Sequence, residues 1–514
     1  MDTPRTYNLL RLSSTQDVLG AISGDFKSIH VSASMTQLAR LDPRGDFRSD
    51  PRFGTFMERV ASCSDDLDTH ALSTVIYVLG KLKIFPQERW LAEFFKSTEH
   101  RLWNFDSQGL SNVLWACAGL NFKPSVEWME AFWESAVAVS STAEPRHLSN
   151  MLWASASLKL KPAGEFLGSV FDRIQEFDAH SLSNTLWALN TISVEPPVDF
   201  FQRFWDRYSQ LEPNAQDSSN AVWASAHMGH HPPDFAWSMM PLETFTPQNF
   251  SNAIWACAKL SSLPLDPWLV DFFEASRLKV AQMSPQNISI ILWSVAKLGL
   301  QPPSDWMCAM VSRCDVMVAQ FDSQAISNLV WSFASFGLPP PSRLLFKKLW
   351  STAMARDRFG DAELAQLLHA SVFANMMGMN VVWTNPKLKF DAMGSAKKMK
   401  KLDRHSRSES LVSEMLQKNG TSHRCSVECP KTGRCIDIVI QGNTAVEVDG
   451  PMHFVHRVGQ PGLFPNGTTI LRNRTLAAAG WNVVSVPLVG LNRDGLDGFL
   501  RTLQTKRKYD TLMV

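Results

Sequence analysis

No stretch of this chain approaches the roughly eighteen uninterrupted apolar residues that a membrane-spanning helix needs, which argues against a membrane partner. An excess of charge is also missing. Lysine and arginine number 50 against 49 aspartates and glutamates, so any nucleic-acid affinity must come from local patches rather than bulk charge. Cysteine is sparse, with eight scattered at 63, 117, 257, 308, 314, 425, 429 and 435. That scatter excludes a disulfide framework and favours a reducing compartment. His423, Cys425, Cys429 and Cys435 lack the paired C-x2-C spacing of a zinc knuckle, so no zinc is expected. A P-loop, a glycine-rich dinucleotide fingerprint and a serine nucleophile elbow are all absent, which removes the common cofactor enzymes. The opening residues, Met1-Asp2-Thr3-Pro4-Arg5, carry neither a secretory apolar region nor a long Arg/Ser-rich amphipathic stretch, so no transit peptide is visible.

What is present in quantity is tryptophan, eighteen in 514 residues. Trp115, Trp153, Trp187, Trp223, Trp255, Trp293 and Trp331 follow one another at 38, 34, 36, 32, 38 and 38 residues, with Tyr77 and His369 extending the series by 38 at either end. The surrounding text recurs: Leu110-Ser-Asn-Val-Leu-Trp-Ala, Leu148-Ser-Asn-Met-Leu-Trp-Ala, Leu182-Ser-Asn-Thr-Leu-Trp-Ala, Phe250-Ser-Asn-Ala-Ile-Trp-Ala. A period of this size is the signature of a solenoid. Leu110, Val113, Leu114 and Cys117 have helical spacing, and Cys257 recurs at the place of Cys117, where a small buried thiol fits. Caps at Asp106, Asp178, Ser284 and Asp322 start these helices, and Pro or Gly ends them. A second helix follows each one, such as Pro124 to Ala136 with Trp128, Phe132 and Trp133. One helix pair cannot bury both faces, so neighbours must stack. The expected organisation is an N-terminal helical cap over 1–60, about eight repeats over 61–380, a basic linker over 381–407, a small α/β domain over 408–505 and a tail over 506–514.

Residues four and seven apart share a helix face, so Gln108, Asn112 and Trp115 form a stripe. The asparagine recurs as Asn150, Asn184, Asn220, Asn252 and Asn328, with Ile290 the exception. Four residues upstream the identity varies: Gln108, Arg146, His180, Gln216, Gln248, Gln286 and Gln324. The next position varies too, through Gly109, His147, Ser181, Asp217, Asn249, Asn287 and Ala325. A fixed framework with variable polar residues suits a reader of one base per repeat. The alternatives are solvated first-turn residues for the variable pair and an inter-repeat hydrogen-bond ladder for the asparagine.

The 38-residue period with its Leu-Ser-Asn-x-Leu-Trp-Ala core resembles the octotricopeptide repeat, and also the helical region of the Fas-activated serine/threonine kinase family. That resemblance covers about residues 61 to 380 and implies selective binding of single-stranded RNA in an organelle, mitochondrion or chloroplast.

The linker holds Lys387, Lys389, Lys397, Lys398, Lys400, Lys401 and Arg404 against Asp391 and Asp403, and such a run contacts phosphates as well as solvent. Beyond it a short helix over 410–418 is expected, then strands from Cys435 and to Asp449 around a Gly442-Asn443 turn. A helix from Ile470 to Ala479, a strand from Trp481 to Pro487 and a last helix from Leu496 to Thr505 complete the module. Glu447-Val-Asp-Gly-Pro-Met-His-Phe454, Thr469-Ile-Leu-Arg-Asn-Arg474, Ala479-Gly-Trp481 and Val484-Ser-Val-Pro487 resemble the RAP domain and, through it, the very short patch repair nucleases. Gly490-Leu491 departs from that pattern, standing where an aromatic is usual. The whole is therefore expected to be an α-solenoid of helical-hairpin repeats followed by a small α/β RAP domain of restriction-endonuclease-like fold.

What the resemblance implies for function is an RNA-binding protein of transcript processing, stability or translation, with messenger or ribosomal RNA as partner and Arg472 and Arg474 as further RNA contacts. Two alternatives stand beside it. One is a structural component of an organellar ribosome, bound to its RNA and proteins. The other is a metal-dependent RNA endonuclease, in which Asp437 and Glu447 hold a divalent ion such as magnesium and Asp449 and His453 complete the site. Asp449 stands where the wider nuclease superfamily has lysine. No cofactor is expected outside that nuclease case.

Overall fold

The computed structural model describes residues 9–21, 27–402, 407–440 and 443–489, with the backbone alone over 396–402 and at 407. The expected helix from Leu496 to Thr505, the tail, Gly490-Leu491 and Gly442 of the expected turn lie outside the described residues. The chain divides into two compact units, 1–224 and 225–514, with the boundary inside the helix Ala215–His227.

Every tryptophan of the series sits on a helix of 13 or 14 residues. In the first unit these are Ser107–Gly119, Pro145–Ser157 and Ala179–Thr191. In the second they are Pro247–Leu260, Pro285–Lys297 and Ser323–Ser335. The start of each is built from short-range chemistry. Asp106, Asp178 and Asp322 accept the backbone N–H three residues on, all at 2.7 Å. Thr246 and Ser284 form reciprocal capping boxes with Asn249 and Asn287. The residue before each cap is a buried apolar one: Phe105, Phe177, Phe245, Met283, Phe321. Phe245 and Phe250 pack edge to face across the Thr246 cap, with ring centroids 5.2 Å apart, which is a hydrophobic staple. A left-handed residue turns the chain out of the helix, including Asn121, Lys159, Ser193, Gly299 and Gly337.

Within each unit these helices lie side by side in one layer, and their partners form a second layer. In the second layer Trp128 and Trp306 are fully buried, and their indole N–H groups donate to Thr98 and Ser276 of the preceding partner helix at 3.2 and 2.9 Å. In five repeats an arginine near the end of the second helix ties the repeat to the previous one. Arg101, Arg173, Arg207, Arg313 and Arg356 donate to the carbonyls of Leu67, Ala143, Phe177, Met283 and Phe321, the residues just before the caps. These carbonyls have no helical partner, and the guanidinium fork satisfies them across the repeat boundary.

The layer extends past the recognisable repeats. At the start of the chain Thr15–Ala21, Ser28–Leu41 and Pro51–Ser62 are helical, and Ser28–Leu41 packs beside Thr69–Leu82. At the far end the expected linker is corrected. Pro386–Leu402 is a helix that packs along Asp361–Met376 as the next member of the layer. Leu388, Ala392 and Ser395 make its buried stripe, and Ser395 donates to Asp361 at 2.5 Å. Three small or apolar positions suffice for that contact, and the surrounding lysines hide them in the sequence.

The C-terminal module lies in the second unit. Four strands, β2 (His423–Glu428), β3 (Cys435–Ile440), β4 (Thr444–Asp449) and β7 (Asn482–Pro487), form a sheet in that order. The first three run antiparallel and β7 runs parallel to β4. Three strands were expected; β2 adds a fourth, an exposed edge whose side chains show no alternation to read. The helix Arg407–Lys418 covers one face through Val412, Met415 and Leu416. The helix Gly467–Ala478 covers the other through Leu476.

This module is docked onto the repeats of its own unit. Gly467–Ala478 crosses the helices Pro285–Lys297, Ser323–Ser335 and Asp361–Met376. A short strand, β5 (Phe454–Arg457), pairs in parallel with β1 (Ser262–Leu263) of the array and antiparallel with β6 (Phe464–Pro465). His456 N–H donates to the Ser261 carbonyl at 2.9 Å, and Lys297 Nζ donates to Thr468 at 3.1 Å. A β-carbon at Gly467 would fall on the Ala296 carbonyl, and one at Gly299 on the Pro465 carbonyl. Among the described residues no helix is long and apolar enough to cross a membrane.

Candidate nucleic-acid interface

The stripe read from the spacing is present on the first-layer helices. Gln108, Arg146, His180, Gln216, Gln248, Gln286 and Gln324 are all exposed. The asparagines Asn112, Asn150, Asn184, Asn220, Asn252 and Asn328 are half-buried, one turn further along. Another turn on, six of the seven tryptophans are half-buried and Trp331 is buried. Where rings meet across repeats they lie face to face or tilted: Tyr77 with Trp115 at 5.2 Å, Trp153 with Trp187 at 6.1 Å and His227 with Trp255 at 4.9 Å.

The position after each exposed one behaves differently, which corrects the expectation that both members of the variable pair face a ligand. Gly109, His147, Ser181, Asp217, Asn249, Asn287 and Ala325 are buried. Three of them, His147, Asp217 and Asn287, bond across repeats. His147 Nδ1 meets the Ser107 hydroxyl at 3.0 Å, and burial holds its imidazole below the ordinary value. Asp217 accepts from His180 Nδ1 at 3.1 Å and from the Ser183 hydroxyl at 3.3 Å. Asn287 donates to Gln248 and to Ser251, both at 3.2 Å. Two of the asparagines instead reach back along their own helix. Asn184 Nδ2 lies 3.0 Å from His180 Nε2, and Gln248 donates to Asn252 at 2.8 Å. Asn328 is an inter-repeat case, accepting from Gln366 at 3.1 Å. His180 and Gln248 are thus braced from below by their own helix and from the side by the next repeat.

The acids of the C-terminal module cluster at β3 and β4. Glu447 and Asp449 are buried, and Arg472 reaches between them from the docked helix, 3.3 Å from Glu447 and 2.8 Å from Asp449. Asp449 also meets His453 Nδ1 at 3.0 Å and the Ser485 hydroxyl. Burial pushes the Asp449 carboxyl up, but the hydrogen bonds from His453, Arg472 and Ser485 and the Arg472 charge outweigh it and hold it at about 2. Glu447 has no such set of donors, and burial pushes it up to about 8. Asp437, raised by burial, accepts the Val448 N–H at 2.8 Å.

A divalent metal does not fit this arrangement. The guanidinium of Arg472 already lies against Glu447, one of the two ligands of the nuclease case, and against Asp449 beside it, while Asp437, the other ligand, is turned to a backbone amide. Among the described residues no group of three or more His, Cys, Asp or Glu side chains is placed to hold a metal ion. Cys425 and His423 both face Ser413, whereas Cys429 is buried against the Trp481 indole N–H.

Two expected RNA contacts are likewise corrected. Arg472 is committed to the acids, and Arg474 donates to the Ser335 carbonyl of the array, so both hold the protein together. Lys397, Lys398, Lys400 and Lys401 are carried by the helix Pro386–Leu402, but their side chains lie outside the described residues. Sequence reasoning missed the arginine ties and the staple residues. Both had a signal, an Arg 30 to 35 residues after five of the pre-cap residues and a Phe or Met before most caps.

Comparison with known proteins adds three findings. Residues 446–492 match the RAP domain family, and residues 245–393 match the C-terminal domain of the Tbc2 translation factor. A RAP domain-containing chloroplastic protein of Oryza sativa subsp. japonica is 37% identical over 67 residues, which is 13% of this chain and 10% of the length of that relative. Among solved structures, the pentatricopeptide repeat protein PPR10 in complex with an 18-nucleotide psaJ RNA element aligns over 82% of this chain and 81% of its own, at 12% identity and a TM-score of 0.18. A triple cysteine variant of the same protein with its RNA gives the same values.

Proposed function

As a helical-repeat protein with a C-terminal RAP domain, this chain, we propose, binds single-stranded RNA in an organelle by reading bases along the first-layer stripe, in the service of transcript processing, stability or translation. The observation that carries this reading is the repetition, in seven successive helices, of one exposed polar side chain of varied identity above a fixed core. That is the arrangement in which one repeat addresses one base. The half-buried tryptophans and neighbouring rings offer faces on which bases stack, worth about 1–3 kcal/mol each where such contacts have been removed. The matches to a RAP domain and to part of a translation factor, and the chloroplastic name of the rice relative, support an organellar setting. Cleavage is not part of the proposal, because Arg472 fills the acidic site.

Crosslinking the native protein to RNA and sequencing the protected fragments, with sedimentation fractions kept apart, tests it. A footprint of roughly eight nucleotides on one or a few transcripts is the expected result. Crosslinks confined to ribosomal RNA in subunit fractions would replace it with a structural role in the organellar ribosome.

A further inference from the structure

The buried position that follows each exposed one has chemistry of its own, and its identity changes from repeat to repeat. We propose that Asp217, although buried, sets which hydrogen-bonding group Asn184 turns toward an RNA base, acting through His180. This inference rests on the base-reading function proposed above.

The argument follows the hydrogen atoms. An ionised carboxylate only accepts. Asp217 is 4% exposed and takes the His180 Nδ1 contact at 3.1 Å, so Nδ1 must carry a proton. In the neutral imidazole Nε2 is then a bare acceptor. Its partner at 3.0 Å is Nδ2 of Asn184, which donates, so the Asn184 carbonyl oxygen points away from the imidazole. A carbonyl in that place accepts from the amino group of adenine N6 or cytosine N4. When His180 gains its second proton, Nε2 becomes a donor and Asn184 must turn its amide over to accept. Its NH2 then faces outward and suits the carbonyl of guanine O6 or uracil O4.

The setting favours a change of state at accessible pH. The hydrogen bond to Asp217 raises the His180 pKa above the ordinary histidine value against the effect of burial, and the charges of Asp217 and Asp178 add to it. The other titratable group that feels Asp217 is Tyr208, whose hydroxyl is pushed up by burial and by the Asp217 charge, so it stays neutral and adds no charge to the pair. The equivalent buried residue further along, Asn287, makes the contrast. Its Oδ1 accepts from the Ser284 N–H and hydroxyl, so only its NH2 can face Gln248, and the Gln248 oxygen is fixed toward it with no titrating group involved. An acid beneath a histidine gives a switching contact, and an amide beneath a glutamine gives a constant one.

The test uses the full chain and its Asp217→Asn variant, with a randomised RNA pool selected at pH 6 and at pH 8.5. The nucleotide in question is the one whose preference disappears in Asn184→Ala. Wild type is expected to favour guanine or uracil there at pH 6 and adenine or cytosine at pH 8.5, by about fivefold. Asp217→Asn is expected to keep overall RNA affinity and to lose that reversal. The same preference at both pH values, or an unchanged reversal in Asp217→Asn, would overturn the inference and leave base reading intact. Loss of all RNA binding at both pH values would overturn base reading itself. Nitrogen NMR of His180 without RNA decides the relay separately: a neutral ring protonated on Nδ1 supports it, and one protonated on Nε2 sinks it.

Discussion

Arg472, on the helix that docks the C-terminal domain, lies 2.8 Å from Asp449 at the end of β4. Two turns of chemistry meet in this pair. The motif that resembles a nuclease supplies the acids, and the docked helix supplies the cation that neutralises them. The same helix places Arg474 on the array, so the acid cluster and the interdomain contact are held by one element.

Removing the cation strands buried charge. Arg472→Met is expected to destabilise the C-terminal domain by about 3–5 kcal/mol, the cost of an uncompensated buried carboxylate. Thermal unfolding followed by hydrogen exchange in β4 checks this. Exchange rates equal to wild type would show that the pair contributes nothing.

The two carboxyls give opposite pH dependences. Glu447 is raised from 4.5 to about 8, so its contribution to stability is complete below about pH 4.5 and declines as pH rises through 8. Asp449 is lowered from 3.8 to about 2, so its contribution is complete above about pH 4 and declines as pH falls toward 2. Glu447→Gln is expected to remove the decline between pH 5 and pH 8 and to leave the acid limb unchanged. Denaturation midpoints measured across that range decide it.

Gly467 tests the docking. Its backbone lies against the Ala296 carbonyl with no room for a side chain. Gly467→Val is expected to weaken docking by about 1–3 kcal/mol through overpacking. Proteolysis should then cut the segment between the array and the domain while both remain folded. Unchanged resistance would mean the contact yields without cost.

Arg173 tests the repeat ties. It donates to the Ser140 and Ala143 carbonyls, both at 2.7 Å. Arg173→Ala is expected to cost about 1.5–3 kcal/mol, as a charge-assisted hydrogen bond is lost and buried acceptors are left unpaired. Faster amide exchange at the start of the helix Pro145–Ser157 is the predicted local sign.

Stability and binding should separate along the array. Trp306→Ala removes a fully buried ring and is expected to cost about 3–5 kcal/mol. Gln286→Ala, on the exposed stripe, is expected to leave the unfolding midpoint within error while lowering affinity for the bound RNA. Loss of both properties together in Gln286→Ala would contradict the assigned face.

The sequence by itself determined everything that repeats. Helix positions, their caps and the stripe of Gln108, Asn112 and Trp115 follow from local spacing, because backbone hydrogen bonds and side-chain periodicity within a helix are short-range. The strands from Cys435 to Asp449 were legible for the same reason, as a short apolar run broken by a Gly-Asn turn is a local pattern. Tertiary structure decided what each face meets. The lysine-rich stretch reads as a linker until Leu388, Ala392 and Ser395 are seen against Asp361–Met376. The acids at 447 and 449 read as parts of a metal site until Arg472, more than twenty residues on, arrives between them. The variable pair reads as two contacts until the neighbouring repeat buries one of them. Each of these depends on which distant residue fills the space beside a side chain, and that partner is set by packing between elements, which no local pattern encodes.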